Sequence, residues 1–89
     1  MKSQLAPDFI ACFRELPERI QRLARKNYKL WKENPSHPGV QFKFVGKHMP
    51  VYSIRVGIGW RALGLKVDDV IVWFWIGSHA EYTKLLRHL

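Results

Sequence analysis

Hydrophobic and polar positions follow two rhythms along this chain, and the change comes at residues 34–39, NPSHPG, a loop by composition. Before it the spacing is helical. Phe9, Cys12, Phe13 and Leu16 follow Pro7, which a first helical turn tolerates, and they predict a short helix that Pro17 breaks. Pro17 also opens a second helix, with Glu18 favourable near its N-terminus. Ile20, Leu23, Ala24, Tyr28 and Trp31 form the apolar stripe of that helix, while Arg22, Arg25, Lys26, Lys29 and Lys32 lie off it. Asn34, pushed out of the α region by Pro35, ends it. Ahead of all this, residues 1–5 are short and polar, a frayed start or a rudimentary edge strand.

Beyond the loop the rhythm is that of strands. Residues 41–45 alternate, with Phe42 and Phe44 on one face and Gln41 and Lys43 on the other. Residues 46–50 form a turn carrying Lys47 and His48. Residues 51–56 place Tyr52, Ile54 and Val56 on one face and Val51, Ser53 and Arg55 on the other. Gly57 and Gly59 frame a tight hairpin into residues 60–67, and Asp68 and Asp69 turn the chain again. Residues 70–76 are an unbroken apolar run, rich in β-branched and aromatic side chains, and read as a central strand buried on both faces. Such short connections predict an antiparallel meander of four strands. Ser78 caps a closing helix over residues 78–89, whose Leu85, Leu86 and Leu89 can pack back on the sheet. The expected architecture is α+β: two N-terminal helices on one face of a four-stranded antiparallel sheet, then a short C-terminal helix, in one domain spanning residues 1–89. Arg61 has the parity of Leu63 and Leu65. A bulge near the two glycines, or its place at the strand's start, are two ways to release it from an apolar face.

Charge changes the picture more than composition does. Fifteen Lys and Arg against seven Asp and Glu give a net charge of +8. So strong an excess on 89 residues attracts polyanions, nucleic acid first, then an acidic protein, then an anionic membrane surface. Cys12 is the only cysteine, which excludes an internal disulfide and suits a reducing compartment. Residues 1–11 lack the pattern of a secretory leader, and the longest apolar run is too short to cross a bilayer. A cytoplasmic location is the expectation.

Several chemistries find no support. No glycine-rich loop precedes a helix, the four histidines and one cysteine are scattered, and no serine or cysteine sits in a nucleophile elbow. No metal or other cofactor is expected. What remains is a basic, aromatic surface: Lys43, Lys47, Arg55 and Arg61 from the sheet, with His79 and Tyr82 at the exit of its central strand. This inventory suits RNA cleavage, because RNA carries its own nucleophile in the 2′-hydroxyl. The protein must then supply a base, an acid, and cations for the charge of the transition state. Histidine serves as acid or base, arginine offers a fork of donors matched to phosphate, and tyrosine or tryptophan can stack on unpaired bases. The same residues would also bind phosphate passively.

The ordered set resembles the RelE/ParE superfamily of bacterial toxins. FRELPERIQRLARKNYKLWKENPSHPG is similar to the family's helical hairpin with its Leu-Pro break. FKFVGKHMPVYSIRVGIGWRALGLKVDDVIVWFWIGSHAEY is similar to its strands: a Tyr-x-Ile-Arg-Val-Gly strand, a Gly-aromatic-Arg start, an acidic turn and an apolar strand ending in Gly-x-His. The resemblance implies the toxin of a toxin–antitoxin pair, a ribosome-dependent endoribonuclease that cuts mRNA and inhibits translation. ParE-like members instead act on DNA gyrase without the ribonuclease set. Carried onto this chain, the resemblance implies that Arg55, Arg61, His79 and Tyr82 are catalytic; Lys43, Lys47, His48 and Trp60 of the basic, aromatic surface are the expected RNA contacts. His79 stands where many members carry arginine, Trp60 replaces a usual tyrosine, and Tyr82 lies closer to the strand end than in the RelE type. An acidic antitoxin, partly disordered when free, is the implied partner.

Overall fold

The computed structural model describes residues 1–89. Its elements run β1 (Lys2–Leu5), α1 (Pro7–Arg14), α2 (Glu18–Glu33), β2 (Lys43–Phe44), β3 (Val51–Gly57), β4 (Trp60–Val67), β5 (Val70–Ser78) and α3 (His79–Leu86). The sheet has five strands in the order β1-β5-β4-β3-β2. This corrects the expected four. The meander pairs only one edge of the apolar run, and the other edge would leave buried amides and carbonyls unmatched. The polar residues Lys2–Leu5 fill that edge in parallel, Lys2 opposite Val70 and Leu5 opposite Trp73, so the sheet is mixed. At the far edge, β2 is reduced to Lys43–Phe44 of the expected 41–45, and Gln41 just before it has φ +46°, which interrupts the extended chain.

Two helices cover one face. α1 lies on β5 and α2 on β3. Ile20, Ala24 and Trp31 of α2 meet Ile54, Val56, Ala62, Ile71, Trp73 and Ile76 of the sheet in the larger core. Trp31 is at its centre, edge-on to Trp73 at 5.2 Å and to Phe42 at 5.5 Å. Polar side chains lock the layers together: Asn27 donates to the carbonyl of Val56, and the hydroxyls of Tyr28 and Ser3 bond each other.

The apolar run does not alternate regularly, and the register explains why. Leu63 pairs with Trp75 while Gly64 pairs with Trp73, leaving Phe74 as the extra residue of a bulge. Trp73 and Ile76 therefore face the two N-terminal helices, and Phe74 and Trp75 join a second cluster on the opposite face. Gly64 is required beneath this turn of register, since a Cβ there would sit 2.5 Å from Cγ2 of Ile71 and 2.8 Å from Cε3 of Trp73.

The opposite face is not open, as a helices-on-one-face architecture would leave it. α3, capped by Ser78 Oγ accepting from the Glu81 amide at 3.3 Å, lays Tyr82, Leu85 and Leu86 over Val51, Leu63 and Leu65. The helix starts at the end of β5. The chain after it finishes beside the 46–50 turn, where the amides of Lys47 and His48 donate to the carbonyl of Leu89 at 3.0 and 3.3 Å. α3 thus crosses the face on a diagonal and leaves one corner of it bare, beside the β3–β4 hairpin.

Candidate active site

That corner is assembled by register. Lys43 pairs with Ser53, Ser53 with Leu63, and Leu63 with Trp75. The neighbouring row runs Arg55, Arg61, Gly77. Paired residues share a face, so Lys43, Arg55 and Arg61 all stand on the side that carries α3. Arg55 and Arg61 are direct cross-strand partners and both are half-buried. His79 follows at once: its backbone amide donates to the carbonyl of Gly59 at 2.7 Å, which fixes the first residue of α3 against the β3–β4 turn.

The sequence left two ways of releasing Arg61 from an apolar face. A bulge does occur at the hairpin, where Arg55 pairs with Arg61 but Gly57 with Trp60, leaving Val56 unpaired. Yet Arg61 keeps the face of Leu63. It escapes the apolar surroundings by curling back, Nη1 donating to the carbonyls of Trp60 at 2.8 Å and Gly57 at 3.1 Å. No protein acceptor meets its Nη2 or Nε. The guanidinium is thus anchored at one corner of its fork and open at the others.

Tyr82 takes a different position from the one its motif implied. Its ring is only 5% exposed, too covered to stack on a base, and its hydroxyl donates to Oγ of Ser53 at 3.2 Å beneath α3. Ser53 is the one polar residue fully buried in the molecule, 1% exposed, and this bond accounts for it. The His79 ring, exposed at the mouth of the corner, lies 5.5 Å from the Tyr82 ring. Tyr82 thus ties α3 to β3, with the His79 ring beside it.

Three RNA-contact candidates fall outside the corner. Lys47 and His48 are exposed, but they sit beyond the start of β3, and the four residue steps from Val51 to Arg55 span about 13 Å. Trp60 packs against the larger core, on the opposite face from Arg61, because its parity is that of Ala62. The aromatic on the correct face is Trp75, half-buried, its indole lying across Gly77, where a Cβ would be 2.6 Å from the ring. Sequence reasoning missed Trp75 because the bulge at Phe74 inverts its parity. The Arg55/Arg61 row, a histidine at its end and an aromatic ring alongside make a surface that can hold a phosphate and a flanking base.

A sequence profile of the ParE-like toxin domain matches residues 18–84. No curated protein sequence matches the chain. Several solved structures share its fold. The toxin in a RelB–RelE antitoxin–toxin complex from Methanococcus jannaschii is similar with a TM-score of 0.73 and 16% identity, over 92% of this chain and 96% of that one. The isolated E. coli RelE toxin gives 0.64 and 17% identity over 99% and 98% of the two chains. YafQ from E. coli gives 0.67 and 12% identity over 91% and 96%.

Proposed function

The chain belongs to the ParE-like toxin family, and from that premise we propose that it is a ribosome-associated mRNA endoribonuclease, neutralised by an acidic antitoxin. One observation carries the reading: Arg55 and Arg61 face each other across β3 and β4, at the hairpin end where the His79 amide meets Gly59, on the face that carries α3. Two like charges directly opposite each other destabilise a sheet, and a phosphate between them removes that cost. Fold similarity to RelE and YafQ supports the same direction, and a RelE solved together with RelB supports an antitoxin partner.

In this mechanism the scissile phosphate docks on Arg55 and on the free Nη2 and Nε of Arg61, with Lys43 meeting the neighbouring phosphate. The base beside the cut rests on Trp75. The 2′-hydroxyl attacks phosphorus and the P–O5′ bond breaks; His79 either takes the 2′-hydroxyl proton while water protonates the departing O5′, or protonates O5′ while water takes the 2′-hydroxyl proton, and a 2′,3′-cyclic phosphate and a 5′-hydroxyl result. The arginines neutralise the dianionic phosphorane, and a preorganised donor of that kind is typically worth about 10²–10³ in rate. Tyr82 and Ser53 hold α3, and with it His79, in place.

The test is induction in a bacterium with mapping of mRNA 5′ ends. Cuts phased to codons are expected, lost in Arg55→Ala and in Arg61→Ala. Because Arg61 also bonds two hairpin carbonyls, its variant must first melt near the parent temperature. A second reading, inhibition of DNA gyrase, is favoured by the ParE-like profile itself. DNA damage without mRNA cuts would replace the first reading with it.

A further inference from the structure

The proposed site uses Lys43, Arg55 and Arg61 and leaves most of the positive charge elsewhere. Arg19, Arg22, Arg25, Lys26, Lys29 and Lys32 are all exposed on α2. At about 100° per residue they fall within an arc of about 140°, and the core-facing Ile20, Ala24 and Trp31 occupy the other side. From Arg19 to Lys32 the row is about 20 Å long at 1.5 Å per residue. Only Glu18 and Glu33, at the two ends, share that arc, and the one salt bridge in the molecule joins Glu18 to Arg22. α2 packs on the Ile54 and Val56 side of the sheet, so this face points away from Arg55 and Arg61.

We infer that the outward face of α2 is a second nucleic-acid surface, one that grips the phosphates of double-helical RNA. The partner class follows from what the face lacks. Protein interfaces are anchored by apolar and aromatic residues and are poor in lysine, whereas the large exposed apolar residues here, Leu5, Ile10, Phe44 and Ile58 among them, all lie outside α2. A membrane-lying helix needs a free apolar side, and that of α2 is spent in the core. Single strands are held by stacking on aromatic rings; the two beside this face, Tyr28 and Phe13, are half-buried and already covered, by Lys32 Nζ at 5.5 Å and Arg25 Cζ at 5.1 Å. A straight, rigid row of cations with nothing to read bases fits a straight, rigid row of phosphates, the way duplex RNA is bound by shape. The chain measures 32 × 29 × 25 Å. A ligand reaching both cationic sides must therefore be larger than the protein, as a folded RNA enclosing it would be. The inference rests on the ribonuclease reading only for that enclosing partner; duplex binding by α2 stands or falls alone.

The experiment measures fluorescence anisotropy of the full chain with a labelled RNA hairpin and, separately, with an unstructured oligouridine, over a salt series. Arg22→Gln/Lys26→Gln/Lys29→Gln is compared with Arg55→Gln. Each lost phosphate contact lowers the log–log salt slope by roughly 0.7–0.9, so the α2 variant should lose about 2–3 from the slope on the hairpin and bind it at least tenfold more weakly at low salt. Oligouridine binding should fall with Arg55→Gln instead. The substituted side chains are exposed, and a matched variant, Arg22→Lys, should keep the parent slope. Unchanged hairpin affinity and slope in the triple variant would overturn the inference. So would loss of hairpin binding in Arg55→Gln alone, or a triple variant that loses affinity only for polyglutamate or for anionic vesicles. Hairpin binding that depends on α2 in a protein that cuts no mRNA would keep this surface and discard the ribonuclease reading.

Discussion

The hydrogen bond between Tyr82 and Ser53 offers the sharpest test of how α3 is held. Both groups are buried, at 5% and 1% exposure, and neither hydroxyl has another protein partner. Tyr82→Phe removes the donor and strands the Ser53 hydroxyl in an apolar setting; Ser53→Ala strands the phenol. A buried polar group left without a partner costs about 1–3 kcal/mol, whereas replacing both partners with apolar groups is close to neutral. Each single variant should therefore lose about 1–2 kcal/mol. The double variant should lose no more than either single, a coupling of about 1 kcal/mol or more. In a domain of this size, 1 kcal/mol corresponds to roughly 4–8 °C in melting temperature. Urea unfolding followed by tryptophan fluorescence reads all four states, since Trp75 packs in the same cluster as Tyr82. Single effects that add in the double variant to within about 0.5 kcal/mol would show that the two residues act independently, and the positioning role would fail. A Tyr82→Phe protein of parental stability that had lost cleavage a hundredfold would place the phenol in the chemistry instead.

Three further outcomes are expected. His79→Gln should slow mRNA cleavage by about 10²–10⁴, more than Tyr82→Phe does, with no change in thermal melt because the imidazole is exposed and makes no side-chain hydrogen bond; a rate within twofold of the parent would exclude it. Gly64→Val should cost about 1–3 kcal/mol in a circular-dichroism melt, because its side chain meets Ile71 and Trp73; an unmoved melt would mean that Trp73 can step aside. Association with an acidic antitoxin should slow steeply as salt rises from roughly 0.05 to 0.5 M, since exposed charges are then screened within a few ångströms, and a flat stopped-flow profile would remove electrostatics from partner capture.

The helices, β3, β4 and the capped start of α3 were legible because each obeys a local rule: periodicity, a proline break, a two-residue turn, a serine before a helix. For β1 the pattern offers a rudimentary edge strand but no partner, since three of its four residues are polar and their pairing is dictated by the unmatched edge of a strand almost seventy residues away. The bulge at Phe74 was hidden for the opposite reason. In a run where every residue is apolar, a one-residue change of register leaves no mark in the pattern, and Trp75 changed faces unseen. Of the candidate site, Lys43, Arg55 and Arg61 share a face by strand parity, and His79 joins them as the first residue of α3. Trp60 was assigned by motif rather than parity and lies on the other face. Tyr82 was read as a surface group because sequence alone does not show that Ser53, opposite it, needs a partner.

The Arg55–Arg61 pair is where fold and function pull apart. Like charges directly opposite on adjacent strands work against folding by a fraction of a kcal/mol. No carboxylate bonds either guanidinium; the molecule's one salt bridge lies on α2. The two carbonyls that bind Arg61 Nη1 fix the side chain without neutralising it. Fixing matters, because a free arginine carries about 2 kcal/mol of rotamer entropy that a ligand would otherwise have to overcome. Here the fold has already absorbed part of that cost, and Nη2 and Nε stay free of protein acceptors beside a second cation. An anion with several oxygens, placed between the strands, supplies acceptors and countercharge at once, and the geometry favours most the species with the most charge on those oxygens. For a phosphodiester under attack, that species is the phosphorane rather than the substrate, which is the differential binding that catalysis requires.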